Sequence, residues 1–221
     1  MPFASADSVH HAIAKVVAKA SKSGPISLKI AEIAEGYLYS DTAEYRSEEV
    51  YLPFAKMAAG HKKISKADRA RFAHQVKQME TSGLGATVPD LEIIRPDGSK
   101  GTLAEANSGS VLLFFNEPDC MDCTMARLRL STDINARELI ANGGLTIVSI
   151  YPGDPDDTWR EAVASYPTDW LVCAMPDADL YFDLRDTPEL IFLNKKHKVL
   201  AKGYPVDHYL NAFRVANTPA R

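Results

Sequence analysis

The residues best suited to chemistry are Cys120 and Cys123, which are separated by two residues. An apolar run at residues 111–115 precedes them and has the length and composition of a buried strand. After the breaker Pro118, the segment that carries the cysteines has the apolar spacing of a helix. Backbone N–H groups are unpaired and the macrodipole is positive at a helix start, so both sulfurs are favoured there as thiolates. Thiolate is the nucleophile in disulfide exchange, and the pattern therefore predicts a redox-active dithiol.

The order of the two cysteines predicts their roles. Cys120 lies at the helix start and should be the more exposed, attacking thiol, whereas Cys123 lies one turn in and should be the resolving thiol. Two alternatives remain, an inert structural disulfide and half of a metal site, although zinc would need two more ligands. The third cysteine, Cys173, lies in the apolar stretch LVCAM. It is expected to be buried and inert, with a role as a third redox partner as the alternative.

Carboxylates surround the cysteine pair in the sequence: Glu117, Asp119 and Asp122. A carboxylate near a thiolate raises the thiol pKa, which destabilises the reduced form and makes the pair a weaker oxidant. This favours reduction or isomerisation of disulfides over strong oxidation, and an acidic rim would also favour basic substrates. The plainer alternatives are that Asp119 is a helix cap and that the rim is a solvated surface.

Composition excludes several classes of function. The chain has 221 residues and a net charge of −4, so a nucleic-acid-binding surface is not expected. No apolar run is long enough to span a membrane, and the first residues lack the features of a signal peptide. Three cysteines do not form a disulfide scaffold. Neither a cofactor nor a metal ion is expected.

The first part of the chain is predicted to be all-helical, as a small domain over residues 1–82. Its apolar spacing predicts four helices, at residues 5–20, 26–39, 47–59 and 65–80, with Ser5 or Asp7 as the first cap and a turn at Asp41–Thr42. Pro53 is expected to bend or break the third helix. Small residues at 81–87 then predict a hinge before a second domain over residues 83–221.

The second part of the chain alternates strands and helices. A turn at Pro96-Asp97-Gly98 predicts a hairpin, and later apolar runs predict further strands and helices. The predicted strands lie at residues 91–95, 111–116, 145–151, 171–175, 189–194 and 198–202, and a closing helix lies at 206–215. These elements predict an α/β domain with a mixed central sheet that helices flank on both faces.

Residues 84–215 resemble the thioredoxin-like superfamily, and most of all its exported thiol-disulfide oxidoreductases. The resemblance rests on Pro89-Asp90 with the later Pro96-Asp97-Gly98, on the C-x-x-C after the core strand, and on Thr187-Pro188 before the strand ELIFLN. It implies a thioredoxin-like fold and a cis peptide bond before Pro188, which turns the Thr187 backbone toward the sulfurs, where an extended substrate can pair with it. It also places Asp186 and Glu189 beside the site.

The N-terminal part resembles thioredoxin-like proteins that carry a helical domain of unknown function and occur in the cell envelope of anaerobic bacteria. The matching residues lie at 48–53, 112–123 and 157–159. This implies a periplasmic or envelope protein whose signal peptide is already removed, with membrane anchoring only through a removed lipoprotein signal. Two departures concern acids: Phe114 and Ala126 stand where relatives carry the carboxylate that accepts the proton of the second cysteine.

The sequence therefore predicts a thiol-disulfide oxidoreductase of the cell envelope with Cys120 and Cys123 as its catalytic residues. Its expected partners are protein disulfides or dithiols and an electron donor that the sequence does not identify. The alternative is a redox-inactive thioredoxin-fold scaffold whose helical domain binds a partner protein. The residues expected to shape the site or bind substrate are Glu117, Pro118, Asp119, Met121, Asp122, Thr187 and Pro188.

Overall fold

The computed structural model describes residues 6–40, 42–43 and 45–217. The chain divides into two compact units, Met1–Gly83 and Leu84–Arg221. The expected division lies one residue earlier, and independent folding of each unit stays a prediction. Ser5 and Asp41, expected at a cap and a turn, lie outside the described residues.

The described part of the first unit is helical. Its helices are α1 (Ala6–Ala20), α2 (Gly24–Leu38), α3 (Glu48–Gly60) and α4 (Lys66–Ser82). Tyr51 and Phe72 are fully buried in its core, and the ring of Tyr39 stacks on that of Tyr51 with centroids 4.8 Å apart. α1, α3 and α4 thus bury one apolar stripe each, as their spacing predicts. α2 instead buries the small Ala31 and Ala34 and leaves the larger Ile33 and Tyr37 exposed.

Proline affects these helices less than the sequence suggests. α2 begins two residues earlier than expected and includes Pro25 in its first turn, where a proline needs no N–H partner. Of the two effects expected of Pro53, the break is wrong, because α3 continues through it, and the bend stays a prediction. Ser47 caps α3 by accepting the Val50 N–H at 3.4 Å. The cap and the burial of one face offset the single hydrogen bond that a proline removes.

The predicted hinge at residues 81–87 is also partly wrong. α4 extends to Ser82, whose hydroxyl donates to the backbone oxygen of Gln78 at 3.0 Å. Further along, Thr87 forms a bridge with Lys198 inside the second unit. The small residues here therefore end a helix and start a sheet edge.

The second unit contains a seven-stranded mixed sheet in the order β2-β1-β5-β4-β3-β6-β7. The strands are β1 (Glu92–Ile94), β2 (Lys100–Thr102), β3 (Ser110–Phe115), β4 (Thr146–Tyr151), β5 (Leu171–Ala174), β6 (Glu189–Asn194) and β7 (Val199–Lys202). The helices are α5 (Met121–Thr132), α6 (Ile134–Ala141), α7 (Asp157–Val163) and α8 (Val206–Ala216). The strand next to the cysteines, β3, is parallel to β4 and antiparallel to β6.

Both faces of the sheet are covered, and β3 contributes to both. On one face, Leu112 and Phe114 pack with residues of α5, α6 and α8. On the other face, Leu113 packs in the core that the segment before β3 and two short 3-10 helices cover. Alternation of side chains along a strand produces this division. The expected fold class, a mixed sheet flanked by helices and preceded by a helical part, is confirmed.

Truncation of a β3 side chain tests this core. We expect Leu113→Ala to lower the free energy of unfolding by about 2–5 kcal/mol, because Leu113 is fully buried and the cavity cannot close. Leu128→Ala, at an exposed position on α5, should change it by less than about 0.5 kcal/mol. Urea unfolding of both variants measures the difference, and equal losses would contradict the packing described here.

Candidate active site

The two cysteines of the C-x-x-C form a disulfide at the start of α5. Cys120 is the N-cap residue and Cys123 lies in the first turn, with their Cα atoms 5.2 Å apart. The Sγ atom of Cys120 accepts the Cys123 N–H at 3.0 Å. Cys120 is half-buried, while Cys123 is only 3% exposed. The more accessible sulfur therefore belongs to the first cysteine.

The residue that caps α5 is a cysteine. Asp119, for which a capping role was the alternative, precedes the N-cap and is exposed. A sulfur at this position lies beside the unpaired N–H groups of the first turn, which stabilise a negative charge. The helix start thus acts on Cys120 itself.

The Thr187–Pro188 segment lies opposite the disulfide. The Thr187–Pro188 peptide bond is cis, and the Thr187 carbonyl oxygen lies 3.5 Å from Cys120 Sγ. The register of the sheet explains this proximity, because Phe115 at the end of β3 pairs with Glu189 at the start of β6. The loop after β3 and the loop before β6 therefore meet at the same edge.

The surroundings of Cys123 are apolar. Phe114 is fully buried and contacts Trp170 edge-on, with ring centroids 6.2 Å apart. Phe114, Ala126 and Cys123 belong to one buried apolar cluster. Neither position at which relatives carry an acid supplies a proton acceptor here.

A buried polar network lies at the end of β3, immediately before the cysteine loop. Tyr166 donates its hydroxyl hydrogen to Asn116 Oδ1 at 2.6 Å, and Asn116 Nδ2 donates to Ser149 Oγ at 2.8 Å. The same Nδ2 donates to the Phe114 carbonyl at 2.9 Å. The guanidinium of Arg127, on α5, lies 4.2 Å from the centre of the Tyr166 ring. These contacts connect the start of the cysteine loop to β4 and α5.

Sequence reasoning missed this network. The available signal was Asn116 itself, a polar residue at the end of a strand that is otherwise entirely apolar. Nothing in the sequence indicated its partner Tyr166, which follows α7 fifty residues later. Burial raises the pKa of the Tyr166 phenol, so it remains a hydrogen-bond donor at neutral pH.

Carboxylates from two loops act on the same region. Burial raises the pKa of the Tyr151 phenol, and the charges of Asp156, Glu117, Asp154 and Asp119 raise it further. The loop after β4 therefore adds to the negative field that the cysteine loop produces, which the sequence did not predict.

The residues expected to shape the site lie around the disulfide, but with different exposure. The exposed residues are Glu117, Asp119, Met121 and Asp122, and the half-buried ones are Pro118, Thr187 and Pro188. A groove of about 370 Å³ adjoins them, with α5 on one side and the start of α8 on the other. We call it the α5–α8 groove. Asp122 and Pro188 line it.

Cys173 and three aromatic side chains of this unit are structural. Cys173 is fully buried in β5, and burial raises the pKa of its thiol to about 12, so it is not a thiolate at neutral pH. Trp159 and Trp170 are buried, and Tyr181 packs against the core. Within residues 6–40, 42–43 and 45–217, no group of three or more His, Cys, Asp or Glu residues could hold a metal ion.

Solved structures show what the chain resembles. A thioredoxin-like protein from Bacteroides caccae is 25% identical, with a TM-score of 0.75 over 95% of this chain and 77% of its own. The C-terminal domain of an uncharacterized protein from Bacteroides fragilis is 26% identical, with a TM-score of 0.55 over 59% of this chain and 96% of its own. The thioredoxin domain of a thiol-disulfide oxidoreductase from Bacteroides vulgatus is 20% identical, with a TM-score of 0.51 over 61% of this chain and 98% of its own.

These similarities agree with the cysteine geometry. The chain has a thioredoxin-like fold with a cysteine pair at C-x-x-C spacing, and its N-terminal helices are consistent with the expected helical part. No protein-family model matches the sequence, and neither does any curated protein. Among the described helices, none is both long and apolar enough to cross a membrane.

Removal of the Tyr166 hydroxyl tests the polar network. We expect Tyr166→Phe to lower the free energy of unfolding by about 1–3 kcal/mol, because buried Asn116 Oδ1 loses its donor. The control Tyr204→Phe removes an exposed hydroxyl and should change it by less than about 0.5 kcal/mol. Urea unfolding of the oxidised proteins makes the comparison. If Tyr166→Phe is as stable as the control, the network does not hold the loop.

Proposed function

From a thioredoxin-like fold with a cysteine pair at C-x-x-C spacing, we propose that this protein is a thiol-disulfide oxidoreductase that reduces or isomerises protein disulfides. The observation that carries the proposal is the disulfide itself. Its accessible sulfur, Cys120 Sγ, lies at the N-cap of α5 and 3.5 Å from the Thr187 carbonyl oxygen. A nucleophilic sulfur and the backbone segment that we assign to an extended substrate are thus adjacent.

The reaction starts from the reduced form. The Cys120 thiolate attacks one sulfur of the substrate disulfide, and the other sulfur leaves as a thiolate that takes a proton from water. A mixed disulfide now joins Cys120 to the substrate. The Cys123 thiol loses its proton to water and attacks Cys120 Sγ, which releases the second substrate sulfur as a thiol. Two electrons pass to the substrate, and the Cys120–Cys123 disulfide is formed.

The surrounding groups set the direction that we propose. The Cys123 N–H lies 3.0 Å from Cys120 Sγ and stabilises a thiolate there. The exposed carboxylates of Glu117, Asp119 and Asp122 act in the opposite sense, because a negative charge raises a thiol pKa. A less stable thiolate makes the reduced pair a better electron donor, so we assign reduction or isomerisation to this site.

We also place the protein in the periplasm or cell envelope. Two observations support this location: the resemblance of its N-terminal part to envelope proteins, and the activity for which the Bacteroides vulgatus relative is named, which we extend to this chain. Disulfide chemistry on proteins belongs to oxidising compartments such as the periplasm. Its partners there would be protein disulfides or dithiols and an electron donor.

A second candidate function is a scaffold whose helical unit binds a partner protein. Ile26, Ile33 and Tyr37 are exposed and lie on one face of α2 by their spacing of seven and four residues. Such a face is a candidate docking surface. Mixed-disulfide trapping separates the two candidates, because a scaffold forms no covalent complex.

We expect Cys123→Ser to accumulate a mixed disulfide between Cys120 and a disulfide-bonded protein such as insulin, because the resolving thiol is absent. Non-reducing electrophoresis and mass spectrometry detect the adduct, which a reducing agent should remove. Cys120→Ser should form no adduct. Cys173→Ser, which alters only a buried thiol outside the site, should not change trapping by the Cys123→Ser variant. Absence of an adduct with Cys123→Ser would favour the scaffold.

The proposed direction predicts a low reduction potential. We expect the Cys120–Cys123 pair to lie nearer to thioredoxin, at about −270 mV, than to the strong periplasmic oxidants, at about −120 mV. Equilibration with glutathione buffers, followed by mass spectrometry of alkylated protein, measures it. Asp122→Asn removes a negative charge beside Cys120 and should raise the potential. Asp169→Asn should not, because Asp169 is exposed and precedes β5, at the sheet edge opposite the cysteine loop. A wild-type value near −120 mV would reverse the direction while leaving the exchange chemistry in place.

A further inference from the structure

The α5–α8 groove is continuous with the disulfide. Asp122 lies between the two cysteines in sequence, and Pro188 follows Thr187, whose carbonyl oxygen lies 3.5 Å from Cys120 Sγ. Both residues line the groove. Met125 belongs to its α5 side, and Tyr204 and Pro205 belong to the side formed by the turn before α8. A molecule bound through Cys120 would therefore extend into a groove with largely apolar walls.

An exposed apolar surface extends from the groove along α5. Met121, Met125 and Leu128 are 74%, 50% and 54% exposed. They are four and three residues apart, so they share one face of the helix that begins at the disulfide. Large apolar side chains grouped on a surface mark a site that another molecule covers, and unbranched methionines adapt to varied partners.

The charge around this apolar surface is negative. Glu117, Asp119 and Asp122 are exposed within three residues of Cys120, and Asp186 is exposed next to Thr187. The charges of Glu117 and Asp119 also raise the pKa of Tyr151 on the neighbouring strand β4.

The nearby cations are engaged by other groups. Both terminal nitrogens of Arg129 donate to the carboxylate of Asp207 on α8. Arg127 stacks on the ring of Tyr166. The charge that an approaching molecule meets at the sulfurs is therefore dominated by carboxylates.

We propose that the α5–α8 groove binds an extended segment of a substrate polypeptide that carries an apolar side chain and a lysine or arginine close to its disulfide-bonded cysteine. The apolar side chain packs against Met125 and Tyr204, and the cation lies near Asp122. This inference rests on the proposed function and assigns its substrate class. Opposite charges steer association, and the effect weakens as salt screens it.

The experiment uses the full chain, reduced beforehand, and three synthetic decapeptides that are each a disulfide-linked homodimer. The first has leucine and lysine beside its cysteine, the second has leucine and glutamate, and the third has serine and lysine. Stopped-flow mixing with alkylation quench gives the rate constant for each. Each rate constant is divided by the rate constant for reduction of the same peptide by dithiothreitol. This removes differences in the intrinsic reactivity of the peptide disulfides.

We expect the leucine–lysine peptide to react about tenfold faster than the leucine–glutamate peptide at low salt. The ratio should fall below about threefold near 1 M NaCl, where charges are screened within about 3 Å. The leucine–lysine peptide should also react several-fold faster than the serine–lysine peptide at either salt concentration. Equal rates for the leucine–lysine and leucine–glutamate peptides would overturn the charge assignment. Equal rates for the leucine–lysine and serine–lysine peptides would overturn the groove assignment.

Variants locate the effect. Met125→Ser should slow the leucine–lysine peptide several-fold, and Asp122→Asn should reduce the ratio between the two leucine peptides. Ile134→Ser, at an apolar position on α6 that is also exposed but does not line the groove, should change neither. If Ile134→Ser has the same effect as Met125→Ser, the groove is not the binding surface.

A neutral small disulfide separates the two levels of the proposal. If bis(2-hydroxyethyl) disulfide oxidises the reduced protein but the protein does not discriminate among the peptides, only the substrate assignment fails. If it reacts with neither the small disulfide nor any peptide, the proposed function fails as well.

Discussion

The site depends on the placement of one sulfur at the N-cap of a helix. Cys120 caps α5, is joined to Cys123 one turn further on, and lies 3.5 Å from the Thr187 carbonyl oxygen. A hydroxyl or carboxylate would cap the helix as well, but only a thiol there can also exchange disulfides. Local backbone geometry and redox chemistry therefore rest on the same atom.

The sheet brings the second half of the site to this sulfur. β3 and β6 are antiparallel neighbours, and the pairing of Phe115 with Glu189 places the end of one beside the start of the other. The loops that carry Cys120 and Thr187 are 67 residues apart in sequence, yet this register brings them together. A shift by one residue would turn the strand faces over and separate Phe114 from the apolar cluster around Cys123.

The carboxylates of the cysteine loop lie at the rim of the site. Phe114 and Ala126 keep the surroundings of Cys123 apolar, while Glu117, Asp119 and Asp122 remain exposed near Cys120. Buried polar groups lie instead in the Asn116–Tyr166 network, where each forms a hydrogen bond. Acids in this position act on the accessible thiol and on approaching molecules more than on the shielded thiol, because a charge acts most strongly at short range.

Much of the architecture follows from local pattern in the sequence. Apolar runs and turn residues predicted the strands, and the spacing of Cys120 and Cys123 after a buried strand predicted the disulfide at the start of a helix. The prediction based on a single breaker was less reliable: α3 continues through Pro53, because its cap and its buried face outweigh one lost hydrogen bond. The Asn116–Tyr166 bond, the negative field shared by two loops and the α5–α8 groove were decided only in the tertiary structure. Each joins residues far apart in the chain, and their distance depends on strand order and register, which no local pattern of residues specifies.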